Sequence, residues 1–596
     1  MTRYVGNRRF RGRACVAGLV ALAFVAASCG GDDDDNAEST AAATASATES
    51  SAAESAIATE APTPTSSAPA SETASAESSA PAESATGTVE VDTTPLVIAR
   101  NMDLTSLDPH RAVCDTCQFI FTSLYQTLVG LDTDNKTLIP SLAESWDVSP
   151  DSKVYTFHIA PDAVFSDGSP VESKDVAFSL MRLKNLKVSL TYLVDDIVSI
   201  DTPDPKTAVV TLGVSNAEFL NNMNAAYPVV VNSDVAKENG ATDAEDADTT
   251  DTAEPFFIEN SVGSGPYVLD SFTEGDQITL KANPNYWKAP APISTVTVKQ
   301  AETAAAQAQM LQTGDADIAM QIDPVTARSL DGVDGVTVDS TPSFNFLYIM
   351  LAPGITTGTS HPLDDDVRIA IRKAIDYKAL IDTLLDGKAQ TQASPIPNGF
   401  PGAEGLAMTE TDVEGAKTML ADAGVTDMTL KLGYPSINAY GVDFGQLAQV
   451  LQQQLAEVGV NLELAPDTFS VFIDNFRSQQ YPSNLLYWAP DYFGSAQYVG
   501  YFGLVDGARA AKNAGGSDDT PLINQTEQTA YDAARAASDP AEREHQYNLA
   551  GQEMVNDMVV IPLLSPDLML TYRSNVQGVR YSACCNLVLD QISRTD

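Results

Sequence analysis

Residues 412–424 read DVEGAKTMLADAG, and residues 444–464 read FGQLAQVLQQQLAEVGVNLEL. In the first, Val413, Ala416, Met419, Leu420 and Ala423 recur at helical spacing. Asp412 can accept the first free backbone N–H groups, and Gly424 can take the left-handed conformation that closes a helix. In the second, Leu447, Val450, Leu451, Leu455 and Val458 share one helical face, Gly459 ends it, and the period falls to two in VNLEL. Helix, glycine, strand, then another helix is the rhythm of α/β lobes with largely parallel sheets. LKLGYPS (430–436) and NLLYW (484–488) add strand signals, and Asp539-Pro540 opens a helix with Tyr547, Ala550, Met554 and Met558 on one side, before the apolar run VVIPLL.

Working outward, the first 29 residues carry Arg3, Arg8, Arg9, Arg11 and Arg13, then the uncharged run CVAGLVALAFVAAS before Cys29. This reads as a secretory signal, too short for a comfortable membrane span. Ala26, Ala27 and Ser28 ahead of Cys29 resemble a bacterial lipobox, with Ala26 where Leu is usual. Cys29 is therefore expected to carry lipid; ordinary cleavage with an unmodified cysteine is the alternative. Residues 30–92 are almost entirely Ala, Ser, Thr, Glu, Pro and Asp, with no Lys or Arg. Such a chain buries too little apolar surface to fold and predicts a disordered tether, with an r.m.s. span on the order of 45 Å.

The remaining body exceeds the roughly 250–300 residues at which a single core stops growing, so at least two lobes follow. A net charge of -46 repels phosphate backbones and argues against nucleic acid as a partner. Among cysteines, Cys114 and Cys117 form a CxxC, and Cys584 and Cys585 are adjacent. Three pairings are open. An exported setting favours disulfides over a zinc site, and a redox-active CxxC is a third reading. The sequence has no GxSxG, HExxH, GxxxxGK[ST] or GxGxxG, and its four histidines are scattered, so neither a catalytic apparatus nor a metal or cofactor site is expected. The string ENGATDAEDADTTDTAEP, 238–255, reads as an acidic surface insertion. In GSGPY, Gly263 and Gly265 suggest backbone conformations closed to other residues, with Ser264 between them a candidate for backbone contact with a ligand.

The order of several blocks carries a resemblance. TSLDPH, LYQTLVGLD and LIPSLAESWDVSPDSKVYTFHIAPDAVFSDGSPVESKDVAFSLMRL are followed by GSGPYVLDSFTEGDQITLKANPNYW, LQTGDADIAM, DVRIAIRKAIDYKALIDTLLDGKA, AKTMLADAG and NVQGV. Together they resemble the family 5 extracellular solute-binding proteins, the dipeptide and oligopeptide receptors of ABC importers, over nearly all of residues 93–581. The resemblance implies a periplasmic-binding-protein-like two-lobe clamp of type II, cluster C-like, with an additional subdomain. Lobe I would comprise 93–128, 256–343 and 562–596, the extra subdomain 129–255, and lobe II 344–561, with crossings near Ser343 and Ile561. It also implies a lipid-anchored, extracytoplasmic binding subunit, periplasmic or at the cell surface, that delivers peptides to a permease and its ATPase subunits. The same fold could instead take an oligosaccharide, another amine or a metal chelate, and a membrane-anchored hydrolase is a distant alternative.

One stretch then gains a role. In NLLYWAPDYFG, 484–494, Asp491 follows Leu485, Leu486, Tyr487 and Trp488, and a carboxylate there is costly to bury unless a cation answers it. In peptide-binding relatives an Asp-Tyr pair after a Trp-containing strand holds the ligand's α-ammonium. WAPDY matches, which puts Asp491 in that role with Tyr492 beside it and Trp488 free to stack. The alternative is an Asp capping a turn after Pro490.

Overall fold

The structure, a computed structural model, describes residues 91–595 apart from Thr105 and Asp518. The stretch read as a signal sequence, Cys29 and all but the last two residues of the expected tether lie outside the described residues.

Fifteen strands position the site. They are β1 (Leu96–Arg100), β2 (Ala143–Val148), β3 (Val154–Ile159), β4 (Ile197–Asp204), β5 (Thr207–Leu212), β6 (Tyr267–Thr273), β7 (Gln277–Ala282), β8 (Thr295–Gln300), β9 (Ile318–Ala319), β10 (Val336–Pro342), β11 (Phe346–Leu351), β12 (Met428–Pro435), β13 (Val460–Asp467), β14 (Ser483–Trp488) and β15 (Val560–Arg573). Ten run side by side in the order β13-β12-β14-β11-β15-β9-β1-β8-β7-β6, with β10 and Ala389–Gln390 also pairing along β15. The sheet is mixed rather than largely parallel. β1 is parallel to β8 and β9, and β12 to β13 and β14, where helices carry the chain across. Every pairing of β15 is antiparallel, because that strand returns the chain from one half of the sheet to the other.

Strand β11 shows how the halves are filled. Its residues are all buried: Leu347, Ile349 and Leu351 enter one apolar core, and Phe346, Tyr348 and Met350 enter another on the opposite face. That is why FLYIML is a continuous apolar run rather than an alternating one. The first core also takes Ile561, Leu563 and Leu564 of β15. A separate core runs from Leu96 to Met320 and includes Leu587, Leu589 and Ile592. The two-lobe clamp is thus one mixed sheet whose halves share β15. Where the halves meet, Ser343 Oγ donates to the Pro566 carbonyl at 2.7 Å, and Ser565 Oγ donates to Gln392 at 2.6 Å. A second, antiparallel sheet, ordered β2-β3-β5-β4, packs on helix α2 (Ser173–Asn185), and helix α1 (Asp115–Leu124) lies in the same separate core that begins at Leu96.

The helices read from sequence lie at Val413–Asp422, Phe444–Ala456 and Pro540–Asp557, capped by Asp412, Asp443 and Asp539. Two other readings change. Neither Gly263 nor Gly265 has a positive φ. They are glycine because the end of α1 packs on them: a Cβ on Gly263 would sit 2.2 Å from the Leu124 carbonyl oxygen, and one on Gly265 2.4 Å from that of Ser123. The acidic insertion is largely exposed, but the side chain of Asp251 is fully buried against Arg182 of α2.

Candidate ligand cleft

Strand β14 ends at Trp488, and Pro490 directs the chain out of the sheet into the loop that carries Asp491. Gln497 pins that loop: it accepts from the Asp491 backbone N–H at 2.9 Å and donates to the carbonyls of Tyr492 (2.5 Å) and Gly494 (3.1 Å). The Asp491 carboxylate, 7% exposed, faces across the cleft. Its Oδ2 accepts from the Tyr192 hydroxyl and its Oδ1 from Gln118 Nε2 at 3.5 Å. No described Lys, Arg or His pairs with it, so the carboxylate is met by neutral donors alone. Burial pushes its pKa up to about 6, and the Tyr192 and Gln118 hydrogen bonds only temper that rise.

The other residues singled out from sequence are dispersed around this point. Trp488 packs at a tilt of 41° against Tyr501, centroids 4.3 Å apart, and meets Phe502 edge-on at 5.3 Å, while its Nε1 is buried without a hydrogen-bond partner. Tyr492 is buried in the apolar core shared with Leu96 and Phe119, so it packs the loop onto the core that holds β1 and α1. Ser264 is fully buried, its hydroxyl unpaired, between the two glycines packed on α1; it shares no contact with Asp491.

Sequence reasoning missed the wall opposite. Helix α1 begins at Asp115, capped by Cys114, and presents Asp115 and Gln118 one turn apart. Asp115 accepts from Arg100 at 2.9 Å and from Asn586 at 2.5 Å; Asp103 lies 3.9 Å from Arg100. Between this wall, β15 and Tyr440-Gly441 remains a space of about 10 Å³, room for about one water. The lobes also touch beyond Asp491: Glu218 accepts from the Ala496 N–H at 3.0 Å, Asn221 donates to the Phe493 carbonyl, and Arg535 pairs with Asp196.

The four cysteines pair locally, Cys114 with Cys117 and Cys584 with Cys585. Neither pair bridges the beginning and end of the lobe. The Asn586–Asp115 hydrogen bond makes that link instead.

A mixed sheet shared by two lobes, with a narrow cleft and a buried carboxylate that looks across it, has the architecture of a two-lobe clamp. Residues 137–509 match the bacterial extracellular solute-binding proteins, family 5 (middle part). The chain belongs to that family. It is 26% identical over 503 residues to the probable D,D-dipeptide-binding periplasmic protein DdpA of Escherichia coli, spanning 83% of this chain and 92% of that protein. It is 30% identical over 375 residues to the glutathione-binding protein GsiB of Pectobacterium atrosepticum, spanning 62% and 68%. Its fold matches the periplasmic binding protein DppA of Helicobacter pylori in complex with the peptide STSA, with a TM-score of 0.73, 22% identity, and coverage of 85% of this chain and 99% of that one. No described helix is long and apolar enough to cross a membrane.

Proposed function

We propose that this protein captures peptides in the cleft and hands them to an ABC permease and its ATPase subunits, without catalysing a reaction. The observation that carries the reading is Asp491: a buried carboxylate, held by a pinned loop, with Tyr192 and Gln118 as its side-chain partners among the described residues. A peptide α-ammonium supplies the missing charge and leaves the side chains of the ligand unread, which suits a receptor of broad sequence tolerance. Trp488 and Tyr492 flank that point; Ser264 contributes only by seating the end of α1. The lobes, taken as 93–128, 256–343 and 562–596 with the subdomain 129–255 on one side and 344–561 on the other, close about the β15 crossing, so that binding shifts an open–closed equilibrium.

Calorimetry with one short peptide in free and N-acetylated forms tests the ligand. Wild type should bind the free form on the order of a hundredfold or more tighter, because a buried charge left without its partner costs roughly 3–5 kcal/mol. Asp491→Asn should discriminate far less. Equal binding of both forms by wild type would overturn the peptide assignment in favour of a sugar or chelate.

Anchoring is part of the same proposal. Lipid on Cys29, with the acidic tether, holds the body outside the cytoplasmic membrane. Cys29→Ser should move the protein from the membrane fraction to the soluble exported fraction; a variant that still sediments with membranes would refute the anchor.

A further inference from the structure

One helical turn from Gln118, the lobe I wall of the cleft holds more carboxylate than the chain balances. Asp115 and Gln118 are three apart on α1, so their side chains leave one face about 5–6 Å apart. Gln118 meets Asp491, and Asp115 turns into the small space between the lobes. Three carboxylates stand at or beside that space, Asp103, Asp115 and Asp567, against one cation, Arg100. Arg100 pairs with Asp115 at 2.9 Å and lies 3.9 Å from Asp103, whose oxygens accept from the Asp115 and Thr116 N–H groups and the Thr116 hydroxyl, all neutral donors, and Asp567 accepts the Ser340 hydroxyl at 2.6 Å. On the facing wall Tyr440 and Tyr487 have their phenols held above the ordinary range, first by burial and then by the charges of Asp103 and Asp115.

A second feature is independent of the charge count. Asn345 is fully buried, and both its Nδ2 and Oδ1 lack a hydrogen-bond partner. It stands one residue ahead of β11, so the two-residue repeat places it on the side of Leu347, whose ladder partner is Tyr487. A buried amide with donor and acceptor both open is costly, and a bound peptide unit, which offers one carbonyl and one N–H, satisfies both.

We infer that the cleft selects short peptides bearing a second cation, a basic side chain on the residue after the free N-terminus, with Asp115 and Asp103 as the specificity-determining carboxylates and Asn345 as the group that pairs with the intervening peptide unit. The inference rests on the peptide reading above. Two near-isosteric dipeptides, Ala-Lys and Ala-norleucine, test it by calorimetry on the mature protein. Wild type should prefer Ala-Lys by about tenfold or more, the scale of a shielded charge contact. Asp115→Asn and, separately, Asp103→Asn should bring that ratio toward one, whereas Asn345→Ala should weaken both peptides alike. A ratio is insensitive to partial unfolding, which removes binding sites for both ligands equally, and Asp103→Asn remains informative if loss of the Arg100 partner prevents Asp115→Asn from folding. Equal affinities in wild type, or a preference for norleucine, would overturn the inference while leaving the peptide reading intact. Failure of both dipeptides, together with equal binding of free and acetylated peptides, would remove the two together.

Discussion

Two buried carboxylate sites in this protein are built in opposite ways. Arg182, with no exposed side-chain surface, holds Asp108 through Nη1 and Nη2 at 2.8 and 2.6 Å and Asp251 through Nε and Nη2 at 2.7 and 3.0 Å; Arg111 adds a contact of 3.1 Å to Asp251. Two guanidinium groups face two carboxylates, and His110 beside them is kept neutral, its pKa lowered to about 4 by burial and then by the Arg182 charge. For Asp251, burial acts to raise the pKa, yet the Arg182 hydrogen bond and charge overcome it and bring the value down to about 2. At Asp491 burial prevails because only a phenol and an amide answer it. Charge closed within the chain is scaffold; charge left open beside a cleft is addressed to something that arrives from outside.

The largest effect should come from breaking the closed site. Arg182→Met leaves Asp108 and Asp251 buried without their shared partner, and removing one member of such a network costs roughly 3–5 kcal/mol. The denaturation midpoint of the variant should fall accordingly. Adding Asp108→Asn and Asp251→Asn to Arg182→Met should recover much of the loss, because the uncompensated charges go with the arginine. If the triple variant is less stable than the single one, the network is not held together by charge balance, and the contrast drawn with Asp491 fails.

The two sites were unequally legible in the sequence. Asp491 stood out because WAPDY places a carboxylate after an apolar strand, a local signal. Its partners did not. Tyr192 and Gln118 lie 299 and 373 residues away, and each is one ordinary residue in its own segment until the clamp closes. Asp251 is one of many acids in a string whose composition says only that it is solvated; Arg182 and Arg111 distinguish it, from 69 and 140 positions upstream. The helices at Val413–Asp422 and Phe444–Ala456 were readable since periodicity and caps are contained in a dozen residues. The mixed sheet was not, because the antiparallel character of β15 depends on where the chain returns, which no local period encodes. Glycines at 263 and 265 were visible, but their cause, a helix end 2.2 to 2.4 Å from an added Cβ, is a tertiary fact.

The smallest effect, and the one that most sharpens the comparison, concerns Asp491→Asn without ligand. At the closed site a charge-removing substitution destabilises; at the open site it should stabilise. Folding lifts the Asp491 pKa from its ordinary 3.8 to about 6. A carboxyl shifted in this direction binds more protons when folded than when unfolded. Its favourable contribution is therefore complete below 3.8 and is lost as pH rises through about 6. At pH 7 the ionised, uncompensated group weakens the fold by on the order of 2–3 kcal/mol. Asn preserves the shape, accepts from Tyr192 and, with Gln118 rotated, still pairs with it, so the variant should unfold at a higher denaturant concentration than wild type at pH 7. The gap should shrink steadily toward pH 4, where wild type protonates Asp491 and the two side chains become electrically alike. Measured over that pH range, a variant less stable than wild type at pH 7 would mean that the carboxylate is satisfied within the chain after all, and Asp491 would join Asp108 and Asp251 as scaffold.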